Sequence, residues 1–416
     1  MFGDIAIAPE LGIHVPEGTT ADFAAVMERM RRIRTKVSHH DSVKRYSEMG
    51  IDLYLGEGKF TSGSTIEVGG QTLEFAKAVI ATGARAAAIP IPGLQEAGYL
   101  TNENIWELTE LPERMAVIGG GPIGSELAQT FQRLGSDVAL FDVSPQILSR
   151  EDPDAARIVQ DQLVDDGLTL YLQAGINSVS RDGEAKVISF THEGQEKTAV
   201  FDHILLAVGR KPNVDSLNLE VANVKYHKRG VEINDYMQTS NPNIYAIGDV
   251  AVPYQFTHVA DATARIAVQN ALFFGRQKFS NLVVPWVTYT DPEVAHVGMY
   301  EKDAKEKGIA IDTYTVYLNE MDRGLADGEE GFVRIHTEKG SDKIVGGTIV
   351  ARHAGEMLGE ITLAMTAKIG LKTLASTIHP YPTQSEAIKK IADTYNRTRL
   401  TPTIKNFLTR ILSWRR

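Results

Sequence analysis

The sequence predicts an α/β protein with a separate α+β domain towards its C-terminal end. Three observations predict it. The stretch RMAVIGGGPIGSELAQTFQRLGSDVALFD (114–142) reads as strand, glycine-rich turn, amphipathic helix, glycine stop and second strand. Three strand-like runs, KAVIATGA (77–84), HILLAVGR (203–210) and IYAIGDV (244–250), each run into a glycine, and nucleotide sites lie beyond the carboxyl ends of such strands. After about residue 283, strand-like runs come first and helical ones follow, the pattern of an α+β domain.

Length and composition bound the rest. A chain of 416 residues has room for two or three domains. Hydrophobic content of 43% with 36 glycines fits a packed α/β protein and not a disordered one. The net charge of −10 argues against wholesale nucleic-acid binding. With no cysteine, these residues offer no disulfide framework, thiolate metal site or thiol redox pair. The opening MFGDIAIAPELGIHVPEG lacks the basic-then-apolar order of a signal peptide. No apolar run reaches membrane-spanning length, so a cytoplasmic location is expected.

In chain order, residues 20–49 read as one long helix, with Ala25, Val26, Met30, Ile33 and Val37 at helical spacing. Its basic run RMRRIRTK lacks interleaved aromatics and reads as a solvated face. IDLYLGEGKF and STIEVGGQTLEF read as short strands separated by glycines. The glycine endings of 77–84, 203–210 and 244–250 leave two explanations open, a pair of related nucleotide-binding units or ordinary βα turns.

The stretch 114–142 is more specific. Gly119, Gly121 and Gly124 fit G-x-G-x-x-G. The first glycine allows the tight turn, the second lets backbone approach a pyrophosphate, and the third lets the helix pack on the sheet. Asp142 ends the second strand, 23 residues after Gly119, where an acid binds a ribose 2′-hydroxyl. A dinucleotide site is the expectation. Val143 and Ser144 place no cation beside Asp142, and Arg150 is the nearest, eight residues on. NADH is therefore expected in preference to NADPH.

Further on, VVPWVTYTDPEVAHVG reads as strands with a turn at Asp291-Pro292, and GFVRIHTE with KIVGGTIVARHAG as a hairpin. Helices are expected at 355–369 and 383–397. The loop STIHPYPTQSEA (376–387) gathers His379, Tyr381 and Glu386, stiffened by Pro380 and Pro382. Thr383 followed by Glu386 has capping-box form. The last stretch, TIKNFLTRILSWRR, sets Ile404, Phe407, Leu408, Ile411 and Leu412 on one face, with Lys405, Arg410, Arg415 and Arg416 as cations. Packing on its own protein is the expected fate of this helix, and weak contact with an anionic membrane surface is the alternative.

The ordered set IATGA, GGGPIGSE, AVGRKPN, IYAIGDV, THVA, YTDPEVAHVG, GGTIVARHAGEMLGE and HPYPTQSE resembles the FAD-dependent pyridine nucleotide–disulfide oxidoreductases, which include dihydrolipoamide dehydrogenase and mercuric reductase. The resemblance covers essentially the whole chain and is strongest to mercuric-reductase-like members. It implies an incomplete FAD domain at 1–97 and 215–281, interrupted by a Rossmann-like NAD(P) domain at 98–214. A dimerisation domain at 282–397 and a basic amphipathic tail at 398–416 complete the division. Gly119, Gly121, Gly124, Asp142 and Gly209 would hold NAD(P)H. Gly58, Thr82, Gly83, Gly248, Asp249, Thr257, His258 and Ala260 would lie along FAD, although from the residues alone Asp249 reads as a turn aspartate.

The resemblance also implies a homodimer that passes electrons from NAD(P)H through FAD to a small-molecule acceptor, with no metal site. Family members begin with a first G-x-G-x-x-G unit and then a helix with two cysteines and a lysine. The chain starts downstream of these, so FAD is expected to bind weakly. Glu126 matches the glutamate that pairs with that lysine. In the disulfide reductases the loop reads His-x-His-Pro-Thr-x-x-Glu. Here His379 matches the first His, Tyr381 stands in place of the acid/base His, and Glu386 matches the orienting Glu. A tyrosine, with a pKa near ~10, is a poor base at neutral pH but donates a hydrogen bond. Two alternatives stand beside the flavoprotein reading: part of a longer mercuric- or dihydrolipoamide-type reductase, and a nucleotide-binding protein without flavin or catalysis.

Overall fold

A computed structural model describes residues 2–9 and 11–415. The chain packs as two units, Met1–Pro145 with Asp166–Leu282 and Gln146–Asp165 with Val283–Arg416.

The first unit opens with helices. Asp22 accepts from the Ala25 N–H at 3.0 Å and starts α1 (Phe23–Ser38). The single helix expected over 20–49 is broken. A 3₁₀ turn at His39–Asp41 follows α1, and Ser42 caps a new short helix, Val43–Glu48. Ser42 takes the Arg45 N–H at 3.2 Å, a local bond that competes with helix continuation. Phe23 and Met27 are the buried residues of α1, while Val26, Ile33 and Val37 are exposed. The strand expected from 51 begins only at Lys59, and Ile51, Leu53, Tyr54 and Leu55 are exposed without strand partners. Lys59–Phe60, Thr65–Val68 and Gln71–Glu74 form a small antiparallel sheet.

Next comes β1 (Ala78–Ile80), then β2 (Arg114–Ile118), α2 (Pro122–Leu134), β3 (Asp137–Phe141), β4 (Thr169–Tyr171) and β5 (His203–Leu206). The strands of the second group pair in parallel in the order β5-β2-β3-β4. Of these, β2, β3 and β5 are near-continuous apolar runs, as strands covered on both faces must be. Met115, Val117, Val138, Leu140 and Leu205 are fully buried. An antiparallel sheet from residues 175–201 packs Ile188 and Phe190 against Ile118, Phe141 and Ile204. The strand β6 (Ile244–Ala246) pairs in parallel with β1, setting Ile80 opposite Ala246, and α3 (Thr257–Leu272) follows it. Phe60, Ile80, Leu219, Val231 and Ile244 form the core beneath this pair.

The second unit is built on an antiparallel sheet. Its strands are β7 (Pro285–Thr288), β8 (Glu293–Gly298), β9 (Ile311–Tyr317), β10 (Phe332–Glu338) and β11 (Ile344–Ala351), in the order β7-β8-β11-β10-β9. The expected hairpin is β10 and β11. A short helix α4 (Asp322–Asp327) precedes β10, and α5 (Ala354–Thr366) and α6 (Glu386–Thr398) follow β11. One apolar core joins Val297, Ile335 and Ile349 of the sheet to Leu358 and Ile361 of α5 and Ile388 and Ile391 of α6.

The last helix, α7 (Pro402–Trp414), is exposed along its whole length. That corrects the expectation that it packs on its own protein. Thr401 caps it and Pro402 starts it. The proline cannot continue α6, so the chain begins a new helix clear of the core. No helix among the described residues is long and apolar enough to cross a membrane.

Candidate functional site

The glycine turn after β2 has the geometry its sequence predicts. Gly119 has φ +108°, and a Cβ there would lie 2.5 Å from the Ala207 carbonyl oxygen just beyond β5. Gly124 on α2 is as tightly placed, for a Cβ would meet the Gly119 oxygen at 1.8 Å. Gly121 is different. Its φ is −73°, and a Cβ would find nothing within 4 Å. Two glycines are thus consumed by packing, and the third faces open space at the N-terminus of α2, where no side chain caps the first N–H groups. Asp142 closes the turn from β3, accepting from the Gly120 N–H at 2.6 Å and the Ser144 N–H at 2.7 Å. Gly209, at φ +117°, leaves β5 beside β2 with nothing within 4 Å of a Cβ. The elements therefore bring Gly119, Gly121, Gly124, Asp142 and Gly209 to the carboxyl ends of neighbouring strands. Glu126 lies one turn into α2 and is half-buried.

A second group forms beyond β1 and β6. Thr82 and Gly83 follow β1, and Gly248 and Asp249 follow β6, its parallel neighbour. The Thr82 hydroxyl donates to the Asn213 carbonyl at 2.8 Å, and the Asn213 side-chain amide donates back to the Thr82 carbonyl at 2.9 Å. Asp249, 13% exposed, pairs with Arg210 at 3.0 Å. Arg210 also donates from Nη2 to the Ala84 carbonyl at 2.7 Å, while its buried Nε has no partner among the described residues. Gly248 sits against α3, with φ +62° and Cβ space ending 3.0 Å from the Ala260 Cβ. Its N–H is fixed by the buried Thr263 hydroxyl at 3.1 Å. Thr257 and His258 are exposed on the first turn of α3, the His258 ring stacked on Phe256 at 5.3 Å. Gly58 stands just before the small antiparallel sheet, on a different element from the rest. Sequence reasoning singled out neither Arg210 nor Asn213, although both lie in the quoted AVGRKPN.

The loop 377–385 belongs to the second unit. Tyr381 is 69% exposed and its phenol donates to Asp322 Oδ2 at 2.6 Å. The Asp322 carboxylate holds that phenol above the ordinary tyrosine pKa, making it a still weaker acid. His379 is tied by Nε2 to both Glu360 oxygens, at 3.0 and 3.2 Å. The capping box does not form. Thr383 donates to the Pro380 carbonyl at 2.8 Å, and Glu386 is itself the first residue of α6, with no side-chain cap before it. A turn through Gln384 and Ser385 intervenes and moves Glu386 from the third helical position to the first.

Residues 14–264 match the pyridine nucleotide-disulphide oxidoreductase family, and residues 284–392 match that family's dimerisation domain. The chain belongs to the pyridine nucleotide-disulphide oxidoreductases. Among curated relatives, the mercuric reductase of Staphylococcus aureus is 36% identical over 94% of this chain and 71% of its own. The mercuric reductase of Bacillus cereus is 34% identical, and the chain spans 62% of its length. A dihydrolipoyl dehydrogenase of Thermus scotoductus is 34% identical over 83% of this chain and 76% of its own. Among solved structures, LpdA of Mycobacterium tuberculosis aligns with a TM-score of 0.85 at 25% identity, over 95% of this chain and 87% of that one. The HOCl-induced flavoprotein disulfide reductase RclA of Escherichia coli aligns at 0.82 and 25% identity, over 90% and 86%. This family of oxidoreductases works with FAD and NAD(P)H, and its dimerisation domain is present here.

Proposed function

We propose that the chain binds NADH at the turn 119–124 and takes part in passing its electrons through FAD to a small-molecule acceptor, as a homodimer. The observation that carries this reading is the division of labour among the glycines. Gly119 and Gly124 are packed against backbone, and Gly121 is left open at an uncapped helix start beside Asp142. A pyrophosphate fits that arrangement. Asp142 also supports the choice of NADH, since a carboxylate repels the 2′-phosphate of NADPH.

The second group of residues fits the ribityl and ring side of FAD. Asp249, the first turn of α3 and the unsatisfied Arg210 Nε are polar groups suited to hydroxyl and carbonyl oxygens. The flavin supplies the step between a two-electron hydride donor and the acceptor, and the protein supplies position and polarity. Only one G-x-G-x-x-G occurs in the chain, so these residues supply one such anchor, at the nicotinamide nucleotide. With no cysteine, they supply no thiol for a disulfide relay or for holding mercuric ion. A second reading, nucleotide binding without flavin, draws support from the in-chain partners that already occupy Thr82 and Asp249.

Two measurements on residues 1–416 test the proposal. Titration should show tighter NADH than NADPH, and Asp142→Ser should narrow that preference; tighter NADPH would overturn it. A visible absorption spectrum should show substoichiometric flavin. A colourless protein that gains no flavin band with excess FAD, yet binds NADH, would establish the second reading.

A further inference from the structure

We infer that α7 is an interfacial anchor that lays its apolar face on an anionic lipid surface. At 3.6 residues per turn, Trp414, Phe407, Ile411, Ile404, Leu408 and Leu412 share an arc of about 160°. None of them is buried: Ile411, Leu408 and Ile404 are 36–43% exposed, Phe407 and Leu412 are each 63% exposed and Trp414 is 88% exposed. Lys405 and Arg410 flank the two edges of the arc, where long cationic side chains keep apolar stems down and charged heads up. The helix lies beyond both stretches that match the family, 14–264 and 284–392, so the family core does not require it.

Charge decides between a bilayer and a second copy of the helix. After Asp393 the sequence has six cations and no acid, so the net −10 of the chain leaves −16 for residues 1–393. Two such helices packed together would bring cations against cations with no carboxylate to pair them. An anionic surface complements all of them, at about 1 kcal/mol for each cation near the headgroups. Arg397 and Arg399 continue the basic run and line a shallow cleft with Asn396, Leu400 and Ile404 at the root of the helix. A terminal tryptophan and an apolar face bordered by lysine and arginine are the features of helices that lie in the bilayer interface. At 13 residues, α7 is too short to span.

The test is flotation of the full chain with vesicles of phosphatidylcholine alone or mixed with phosphatidylglycerol. Partition into the anionic vesicles is expected, with little into neutral ones, and with loss as salt screens the charges. Lys405→Gln with Arg410→Gln should lower the partition coefficient on the order of thirtyfold. Phe407→Ser with Leu408→Ser should abolish partition, and Thr409→Ser, on the polar face, should leave it unchanged. All these residues are exposed, so the variants keep the fold. Tryptophan emission should shift to the blue with anionic vesicles, and Trp414→Phe should remove the shift. Equal partition into neutral vesicles, or none into anionic ones, would overturn the inference. So would light scattering without lipid that shows oligomers reduced in size by Phe407→Ser with Leu408→Ser.

Discussion

Three glycines in one turn respond to the same added methyl in different ways. At Gly124 a Cβ would meet the Gly119 oxygen at 1.8 Å, so Gly124→Ala must push α2 off the sheet. Forced overpacking of this kind typically costs about 1–3 kcal/mol, and a drop in melting temperature reads it. At Gly121 there is room and φ is negative, so Gly121→Ala should leave the melting temperature within about a degree of the parent. It should instead weaken NADH binding about tenfold or more, because the methyl would sit where the proposed pyrophosphate approaches. Equal destabilisation by both changes, with NADH affinity intact, would remove Gly121 from the site.

Elements whose determinants are local were legible in the sequence, and elements that depend on distant partners were not. The run 114–142 carries its strand, turn, helix and acid within one stretch, and the structure keeps all of them. Ile51–Leu55 alternates like a strand yet finds no ladder, because a strand is a relation between two segments. The His39–Asp41 break was visible only as a serine, Ser42, that prefers to begin a helix. The loop 377–385 shows the same limit. Glu360 and Asp322 hold it through His379 and Tyr381, and no spacing rule links those positions. Tyr381→Phe removes only the bond to Asp322. In flavin-loaded protein, or in a longer chain that retains flavin, stopped-flow absorbance should show NADH-to-flavin transfer almost unchanged and transfer to the acceptor slowed. A tenfold loss in the first step alone would place Tyr381 elsewhere, and no change in either would make it a packing residue.

At the scale of the molecule, the second unit carries an acid-sensitive core. Burial depresses His296 to about 3 and His336 to about 4, from 6.5. His296 lies under Tyr300 at 3.5 Å with Nδ1 2.8 Å from the Thr348 hydroxyl. His336 meets the Thr313 hydroxyl at 2.9 Å, and its buried Nε2 has no partner among the described residues. Both are neutral when folded and become charged on unfolding once the pH falls below 6.5. The unfolded state then binds more protons, so stability falls with pH. Between pH 7 and 5 the two sites together cost on the order of 4 kcal/mol. Glu151, Glu293 and Glu329, raised by burial, work in the opposite sense as they protonate. Comparison with His336→Gln cancels their effect. On acidification the parent should lose more melting temperature than the variant, by about half of what the two histidines together impose, and an unchanged pH slope would exclude His336 as a cause.

The parallel pair β1 and β6 differs from the four-stranded sheet in one respect with a consequence in time. Among the described residues, no strand pairs with the other edge of β1. Ala78 donates towards the β6 side, to the Asn243 carbonyl at 2.9 Å, and strand alternation then turns the Val79 N–H towards the open edge. Val79 is 42% exposed. In heavy water its amide should take up deuterium within the dead time of a manual experiment, while the amides of Ala78 and Ile80 on either side lag behind. Val117 sits in β2, flanked by β3 and β5, and should exchange only when the sheet opens as a whole. The same fold therefore keeps two clocks, one set by a single strand edge and one by global unfolding.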